Sequence, residues 1–363
     1  MQRLRVVSEK FPYDVVAGRG AWRALRRFPV APYSSIFVLS ERPLWKRWGS
    51  VFLGESGLRP GPPVLAPSGE TSKAMAMVER VATQLLKGGA DRRSLLIVFG
   101  GGVMGDLGGF VASTYMRGID YVQAPTTVVA QVDSAVGGKT AVNVGAMKNL
   151  VGTFYPPHLV VAEPQVLSSL SDRAFRSGLY EVVKYAILAG EPFFSRLEKT
   201  LDSLRPGNTK ALEPILAEAV EVKVDVVNRD EHEANLRRVL NLGHTFGHAF
   251  EEVTDYKRFL HGEAVGWGLA AVTRLAERLG VLAPDESERI ARLVRRVGPL
   301  PSLRDVPSAK VLRLLPQDKK AVGGNIRWVL PERIGKVKIV ADVPTDEVSA
   351  ALQEVAGRKG KGK

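Results

Sequence analysis

Residues 95–110, LLIVFGGGVMGDLGGF, constrain the fold of this chain more than any other stretch. A short apolar run ends in glycine, and Gly100, Gly102 and Gly105 then satisfy G-x-G-x-x-G where a helical pattern opens. That order is the strand–turn–helix unit of a parallel sheet. Glycine lets the backbone approach a pyrophosphate, and the start of the helix offers unpaired amide donors. The turn departs from the usual dinucleotide fingerprint in following earlier strands. Asp120 lies about 20 residues on but precedes a strand rather than ending one, so it does not read as the ribose acid. The same glycines would equally serve a tight turn that packing requires, and Asp106 could simply cap the helix.

The flanking sequence extends this unit. SSIFVLS (34–40) and YVQAPTT (121–127) read as further short buried strands. A helix is predicted from Ser72, with Ala74, Val78, Val81, Ala82 and Leu85 on one face and Gly88–Gly89 closing it. Strands alternating with helices predict a doubly wound α/β domain over residues 1–165. Beyond Pro164 helical patterns take over, at 212–228 (Ile215, Ala219, Val222, Val226) and 263–279. They predict a mostly α-helical domain over 166–356, with a late hairpin at 326–340 and a basic tail at 357–363. Two domains suit 363 residues at roughly 150 residues per domain.

Composition narrows the chemistry. There is no cysteine, so disulfides and thiolate ligands are excluded and any metal must sit on histidine and carboxylate. No apolar run approaches the roughly 18 residues of a membrane span, and the N-terminus lacks the apolar segment of a secretory signal, so a cytoplasmic protein is expected. Lys and Arg outnumber Asp and Glu by 51 to 38, and Arg358, Lys359, Lys361 and Lys363 in the tail supply four of the +13. This balance suggests an anionic partner (nucleic acid, a phosphorylated metabolite or a nucleotide), or merely a basic, Arg-rich style of sequence. Neither a nucleic-acid recognition fold nor a basic–aromatic stripe is present, so no nucleic-acid partner is expected, and no membrane.

Of five histidines, His158 follows two prolines in a loop and His232 lies in an acidic, solvated run. The others differ. Arg237, Asn241, His244 and His248 are spaced i, i+4, i+7, i+11, one stripe if the segment is a single helix. Such a stripe has the wrong composition for a core. Gly243 and Gly247 each weaken a helix by ~1 kcal/mol relative to alanine, so something must approach closely there. His261 begins the next helix. Two imidazoles and one carboxylate would leave a position open on a divalent cation. Spacing does not say which carboxylate. Glu181, three residues before Lys184, is the best candidate, with an ordinary surface ion pair as the alternative. Gly-rich segments at 132–140 and 147–152 carry Asp133, Lys139, Lys148 and Asn149, and Lys319 and Lys320 precede another glycine pair. Ammonium groups on such segments suit phosphate or carboxylate.

Taken together, these segments resemble the 3-dehydroquinate synthases of the sugar-phosphate cyclase group. The motifs are collinear from SGETSK (68–73) through GGGVMGDL (100–107), YMRG (115–118), QVDSAVGGKT (131–140) and KNLVG (148–152). They continue through EVVKY (181–185), LNLGHTFGHA (240–249), LHGEAV (260–265) and DKK (318–320), spanning about 250 residues. The resemblance implies a Rossmann-like NAD-binding domain, a helical metal-binding domain and a homodimer.

By position, Glu181, His244 and His261 would hold one divalent metal, zinc or cobalt, and His248 would be a substrate-site group rather than a ligand. Glu41 stands where the family usually shows Asp on the adenosine ribose. Glu70, Lys73, Gly101, Gly102, Val103, Asp106, Thr126 and Thr127 match positions around the nicotinamide nucleotide, with Asp133, Lys139 and Lys148 shared with the substrate. Lys139, Asn149, Asn241, His248, Lys319 and, from a partner subunit, Arg117 match the phosphate end. Arg237 and Lys148 match the carboxylate end, and Asp133, Lys184 and Lys223 the ring hydroxyls. The stretch 169–175 and the residues Tyr180 and Ala186 depart from the family pattern beside the site.

The implied reaction belongs to the shikimate pathway. It converts 3-deoxy-D-arabino-heptulosonate 7-phosphate to 3-dehydroquinate and phosphate by transient oxidation with NAD, elimination, reduction, ring opening and aldol closure. A polyol dehydrogenase would lack the basic cluster Lys139, Lys148, Lys223 and Arg237. Cyclases of sugar phosphates without a carboxylate are disfavoured by Arg237 and Asn241.

Overall fold

A strand covered on both faces should be apolar at every residue, and Leu95–Gly100 (β5) is buried throughout. The computed structural model describes residues 1–145, 147–315 and 326–357. In it β5 lies near the middle of a seven-stranded sheet. The other strands are Gln2–Val6 (β1), Tyr13–Ala17 (β2), Ile36–Glu41 (β3), Val64–Ala66 (β4), Asp120–Pro125 (β6) and Leu159–Ala162 (β9). Their order is β1-β2-β9-β6-β5-β3-β4. All neighbours are parallel except β1, which pairs antiparallel with β2 at the edge. The doubly wound α/β expectation holds. A separate antiparallel hairpin, Lys139–Val144 (β7) and Met147–Phe154 (β8), runs through the two Gly-rich segments.

Helices Arg42–Ser56 (α1), Met75–Lys87 (α2) and Gly102–Thr114 (α3) connect the strands. The α2 helix starts after Ser72, which lies in a short turn, Glu70–Ser72. The glycines of α3 do pack: a Cβ at Gly105 would fall 2.9 Å from Gln123 Oε1, and one at Gly108 2.5 Å from a Val98 methyl. They let α3 lie close on the sheet.

The chain divides into two compact units, Met1–Leu170 with Pro206–His232, and Ser171–Arg205 with Glu233–Lys363. The second unit contains Asp172–Ala189 (α4) and Glu191–Thr200 (α5), whereas Thr209–Arg229 (α6) belongs to the first. The sequence-based boundary put α6 with the helical part. Its position follows from tertiary contacts: Val7 N donates to Asn228 Oδ1 (2.8 Å), and Asn228 Nδ2 donates to Arg5 O (3.0 Å). Periodicity reports that a helix is amphipathic, not which sheet its apolar face covers.

The second unit continues with His244–Val253 (α7), His261–Arg278 (α8), Pro284–Val297 (α9), Ser308–Leu314 (α10) and Thr345–Val355 (α11). The expected late hairpin is present as Trp328–Arg333 (β10) and Lys336–Val340 (β11). The single stripe is not. Leu236–Asn241 is a separate 3-10 turn, and α7 starts only at His244. Between them Gly243 adopts φ +79, and a Cβ there would lie 2.9 Å from the Leu269 amide nitrogen. The close approach inferred from the glycines is therefore that of α8, and it breaks the helix. Opposite, Tyr180 of α4 fills the space left by Gly266 of α8, and its hydroxyl donates to Gly298 O (3.0 Å). The departure at Tyr180 thus serves helix packing.

Candidate active site

Close packing of α4, α7 and α8 brings three ligand-type side chains to one point. Glu181, in the middle of α4, is fully buried; its Oε1 lies 3.5 Å from His244 Nε2 and 3.2 Å from His261 Nε2. One ligand atom from each residue lies within 4.8 Å of the other two. The far nitrogen of each ring is tied down. His244 Nδ1 lies 3.2 Å from Leu242 O, and His261 Nδ1 lies 3.1 Å from Glu251 Oε2. With each ring neutral, donation from Nδ1–H to those oxygens would turn the Nε2 lone pairs toward Glu181, the tautomer a metal ligand needs, so a bound metal must displace the proton that the carboxylates favour on His261.

Burial lowers the pKa of the His261 imidazole, but the Glu251 and Glu181 carboxylates outweigh it and raise the pKa to about 10. Lys184, also fully buried, places Nζ 2.6 Å from Glu181 Oε2, so the surface ion-pair alternative fails. Two imidazole nitrogens and a carboxylate oxygen suit zinc or cobalt and leave coordination positions open. The ring centre of His248 lies 5.6 Å from that of His244 and 6.2 Å from that of His261, beside the set but outside it.

Glu251 was not singled out from sequence, because an acidic residue near a helix end is ordinary. Its substitution by alanine is expected to weaken metal affinity by about 10–100-fold. Titration of the chelator-stripped protein with zinc checks this, and an unchanged affinity would remove Glu251 from the centre.

In the first unit, the turn after β5 leads directly into α3, whose first residues follow Gly101 without a side-chain cap. A Cβ at Gly101 would lie 3.0 Å from Thr127 Cγ2, and one at Gly102 3.0 Å from Ser134 Oγ, so a side chain at either position would press on its neighbour. Uncapped helix amides beside a glycine turn suit an anionic nucleotide phosphate. Asp106 does not cap the helix. It sits in the second turn of α3 and pairs with Lys73 Nζ. Burial raises the Asp106 pKa, opposed by the Lys73 charge. Buried Thr126 donates its amide to Gly100 O (3.0 Å), and Glu41 ends β3 beside β5, where a ribose acid is expected.

The hairpin carries Lys139, exposed and 5.9 Å from the centre of the Phe154 ring, with Lys148 and Asn149 on β8. Asp133 pairs with Lys223 of α6. Arg117 is exposed, with φ +70. In the second unit Arg237 is buried, and Asn241 Nδ2 donates to Glu233 Oε1 (2.7 Å). Lys319 and Lys320 lie outside the described residues.

Comparison with known proteins bears on what this arrangement does. A family profile described as 3-dehydroquinate synthase N-terminal matches residues 63–177, and one described as 3-dehydroquinate synthase C-terminal matches 178–321. The chain belongs to the 3-dehydroquinate synthase family. A 3-dehydroquinate synthase from Koribacter versatilis is 43% identical over 363 residues, covering 98% of each chain. One from Dictyoglomus turgidum is 39% identical, again covering 98% of each.

Among solved structures, 2-epi-5-epi-valiolone synthase from Streptomyces hygroscopicus subsp. jinggangensis, with NAD+ and Zn2+ bound, superposes with a TM-score of 0.85. It is 29% identical, and the match covers 98% of this chain and 99% of that one. A 2-deoxy-scyllo-inosose synthase structure shares the fold, with a TM-score of 0.84 at 24% identity, covering 97% of this chain and 99% of that one. This member of the 3-dehydroquinate synthase family is therefore an enzyme, and its reaction is the formation of 3-dehydroquinate. No helix among the described residues is long and apolar enough to cross a membrane.

Proposed function

We propose that the chain closes the ring of 3-deoxy-D-arabino-heptulosonate 7-phosphate with the help of NAD and one divalent metal, zinc or cobalt, held by Glu181, His244 and His261. The observation that carries this reading is the buried carboxylate facing two oriented imidazoles, in a chain of this family. The NAD+ and Zn2+ in the valiolone synthase structure support it. When bound, the dinucleotide supplies a hydride acceptor that is restored within the cycle, and the metal supplies a Lewis acid.

The remaining work falls to this chain's side chains. Lys139, Asn149, Asn241, Lys319 and a partner's Arg117 hold the phosphate, while Arg237 and Lys148 hold the carboxylate. Cationic donors in these places bind the trianionic end groups with charge-assisted hydrogen bonds. Asp133, paired with Lys223, accepts from a ring hydroxyl; Lys184 donates to another. His248 handles the proton as phosphate departs. Glu41, Glu70, Lys73, Asp106, Thr126, Thr127 and the Gly101–Val103 turn surround the nucleotide. A cytoplasmic location is part of the same reading.

Substrate choice is testable by comparing phosphate release from the heptulosonate phosphate and from the seven-carbon ketose phosphate that lacks the carboxylate. A preference of at least about 100-fold for the acid is expected, because the ketose phosphate forfeits the charge-assisted contact that its carboxylate would make with Arg237. Equal rates would reassign the enzyme to the carboxylate-free cyclases.

A homodimer is part of the same reading. Val144, Met147, Leu150, Val151 and Phe154 are each 39–51% exposed on one hairpin, an unusual apolar surface for a monomer. The Tyr155 hydroxyl donates to Ile119 O (3.1 Å), so the turn carrying Arg117 adjoins the end of β8. Leu150→Glu is expected to reduce a particle of twice the 39.4 kDa chain mass to a single chain, read by light scattering. A persistent dimer would place the contact elsewhere.

A further inference from the structure

One side chain ties the nucleotide-side loop to the substrate-side hairpin. Asn143 sits where the β7–β8 register shifts, between Val142 and Val144, and so is released from the ladder. Its backbone N–H donates to Lys73 O (2.8 Å), forming an isolated parallel bridge with Ala74. Its side chain is used at both ends. Nδ2 donates to Glu70 Oε1 (2.8 Å), and Oδ1 accepts from the Asn149 amide (2.9 Å). Asn149 itself adopts φ +53, the left-handed region that asparagine tolerates better than most non-glycine residues, and the Asn143 contact fixes its backbone there. Lys73, held through its carbonyl, reaches on to Asp106 in α3. Asn143 therefore joins the 70–74 loop to the hairpin, and Lys73 carries the connection on to α3.

We propose that Asn143 is a positioning residue that sets Glu70 for the nucleotide and Asn149 for the substrate phosphate at once. This rests on the reading of Glu70 and Asn149 as ligand-facing residues. The role calls for one donor and one acceptor on a short planar group, which asparagine supplies. Aspartate keeps the acceptor for Asn149 but sets a second carboxylate against Glu70. Alanine removes both contacts.

The test is a cycle of Asn143→Ala, Asn149→Ala and the double variant in the metal-loaded enzyme at saturating NAD, with NAD affinity measured separately by calorimetry. Asn143→Ala is expected to lower kcat/KM about tenfold and weaken NAD binding about tenfold, the scale of losing a hydrogen bond to a backbone amide in the one case and to a carboxylate in the other. The double variant is expected to have the kcat/KM of Asn149→Ala alone. Asn143→Asp should weaken NAD as much as alanine does yet retain more of kcat/KM, a split that loss of hairpin stability would not produce. If Asn149→Ala is impaired and the two effects multiply, or if aspartate and alanine lower both quantities alike, Asn143 does not act through these residues and the proposal falls alone. If Asn149→Ala keeps full kcat/KM, the ligand-facing reading of Asn149 fails, and the proposal with it.

Discussion

The His244→Ala protein is expected to lose its metal and at least about 100-fold of its activity, since even partners one shell out carry 10–100-fold effects on such centres. The variant leaves Glu181 and His261, 3.2 Å apart, as a two-residue site, too few protein ligands for a catalytic zinc centre. The backbone oxygen of Leu242, which fixes the ring, loses its partner as well. Zinc content after dialysis should fall from about one per chain to a small fraction of that. His248→Asn is the matched control. Its ring lies outside the ligand set, so metal content should stay intact while phosphate elimination slows. Undiminished metal in His244→Ala would refute the assignment of the centre.

Lys184→Met should be the most destabilising single change at the site. Glu181 and Lys184 are both 0% exposed, and removing the ammonium leaves a buried carboxylate without its closest counter-charge. Breaking such a pair costs about 3–5 kcal/mol, whereas removing both charges is often close to neutral. Urea unfolding of the chelator-treated protein should therefore show that loss for Lys184→Met, and most of the stability should return in Glu181→Gln/Lys184→Met. Loading the single variant with zinc should shrink the loss, because a cation at the ligand oxygens then compensates the carboxylate. Full stability of chelated Lys184→Met would mean that Glu181 does not need the pair, contrary to the buried geometry.

Much of this site could be read in the sequence because its parts carry local physical signals. β5 and α3 declare themselves through an apolar run, a glycine turn and a helical period, and all three survive in the fold. His261 was expected at the start of a helix and opens α8. What sequence did not disclose depended on longer-range geometry. The β7–β8 hairpin is exposed along most of β8 and rich in glycine, so it lacks the alternation that marks a half-buried strand. β1 carries Arg3 and Arg5 on its solvent side, both paired with Asp14, and reads as charged surface until β2 is placed beside it. The Arg237-to-His248 stripe failed because Gly243 turns the chain, which a spacing rule cannot see. Glu181 and Lys184 are spaced like a surface pair and are buried where α8 packs on α4, an approach that Gly262 and Gly266 allow. Asn143 and Glu251 carried no signal at all; each matters through a partner distant in sequence or across a turn.

The most direct measurement is inorganic phosphate released from 3-deoxy-D-arabino-heptulosonate 7-phosphate, with and without NAD and a chelator, while NADH absorbance is followed. Stoichiometric phosphate that requires both NAD and metal, with no standing NADH, is the expected result. Steady accumulation of NADH without phosphate would make the enzyme a dehydrogenase and contradict the assignment of its basic residues to an anionic, phosphate-losing substrate.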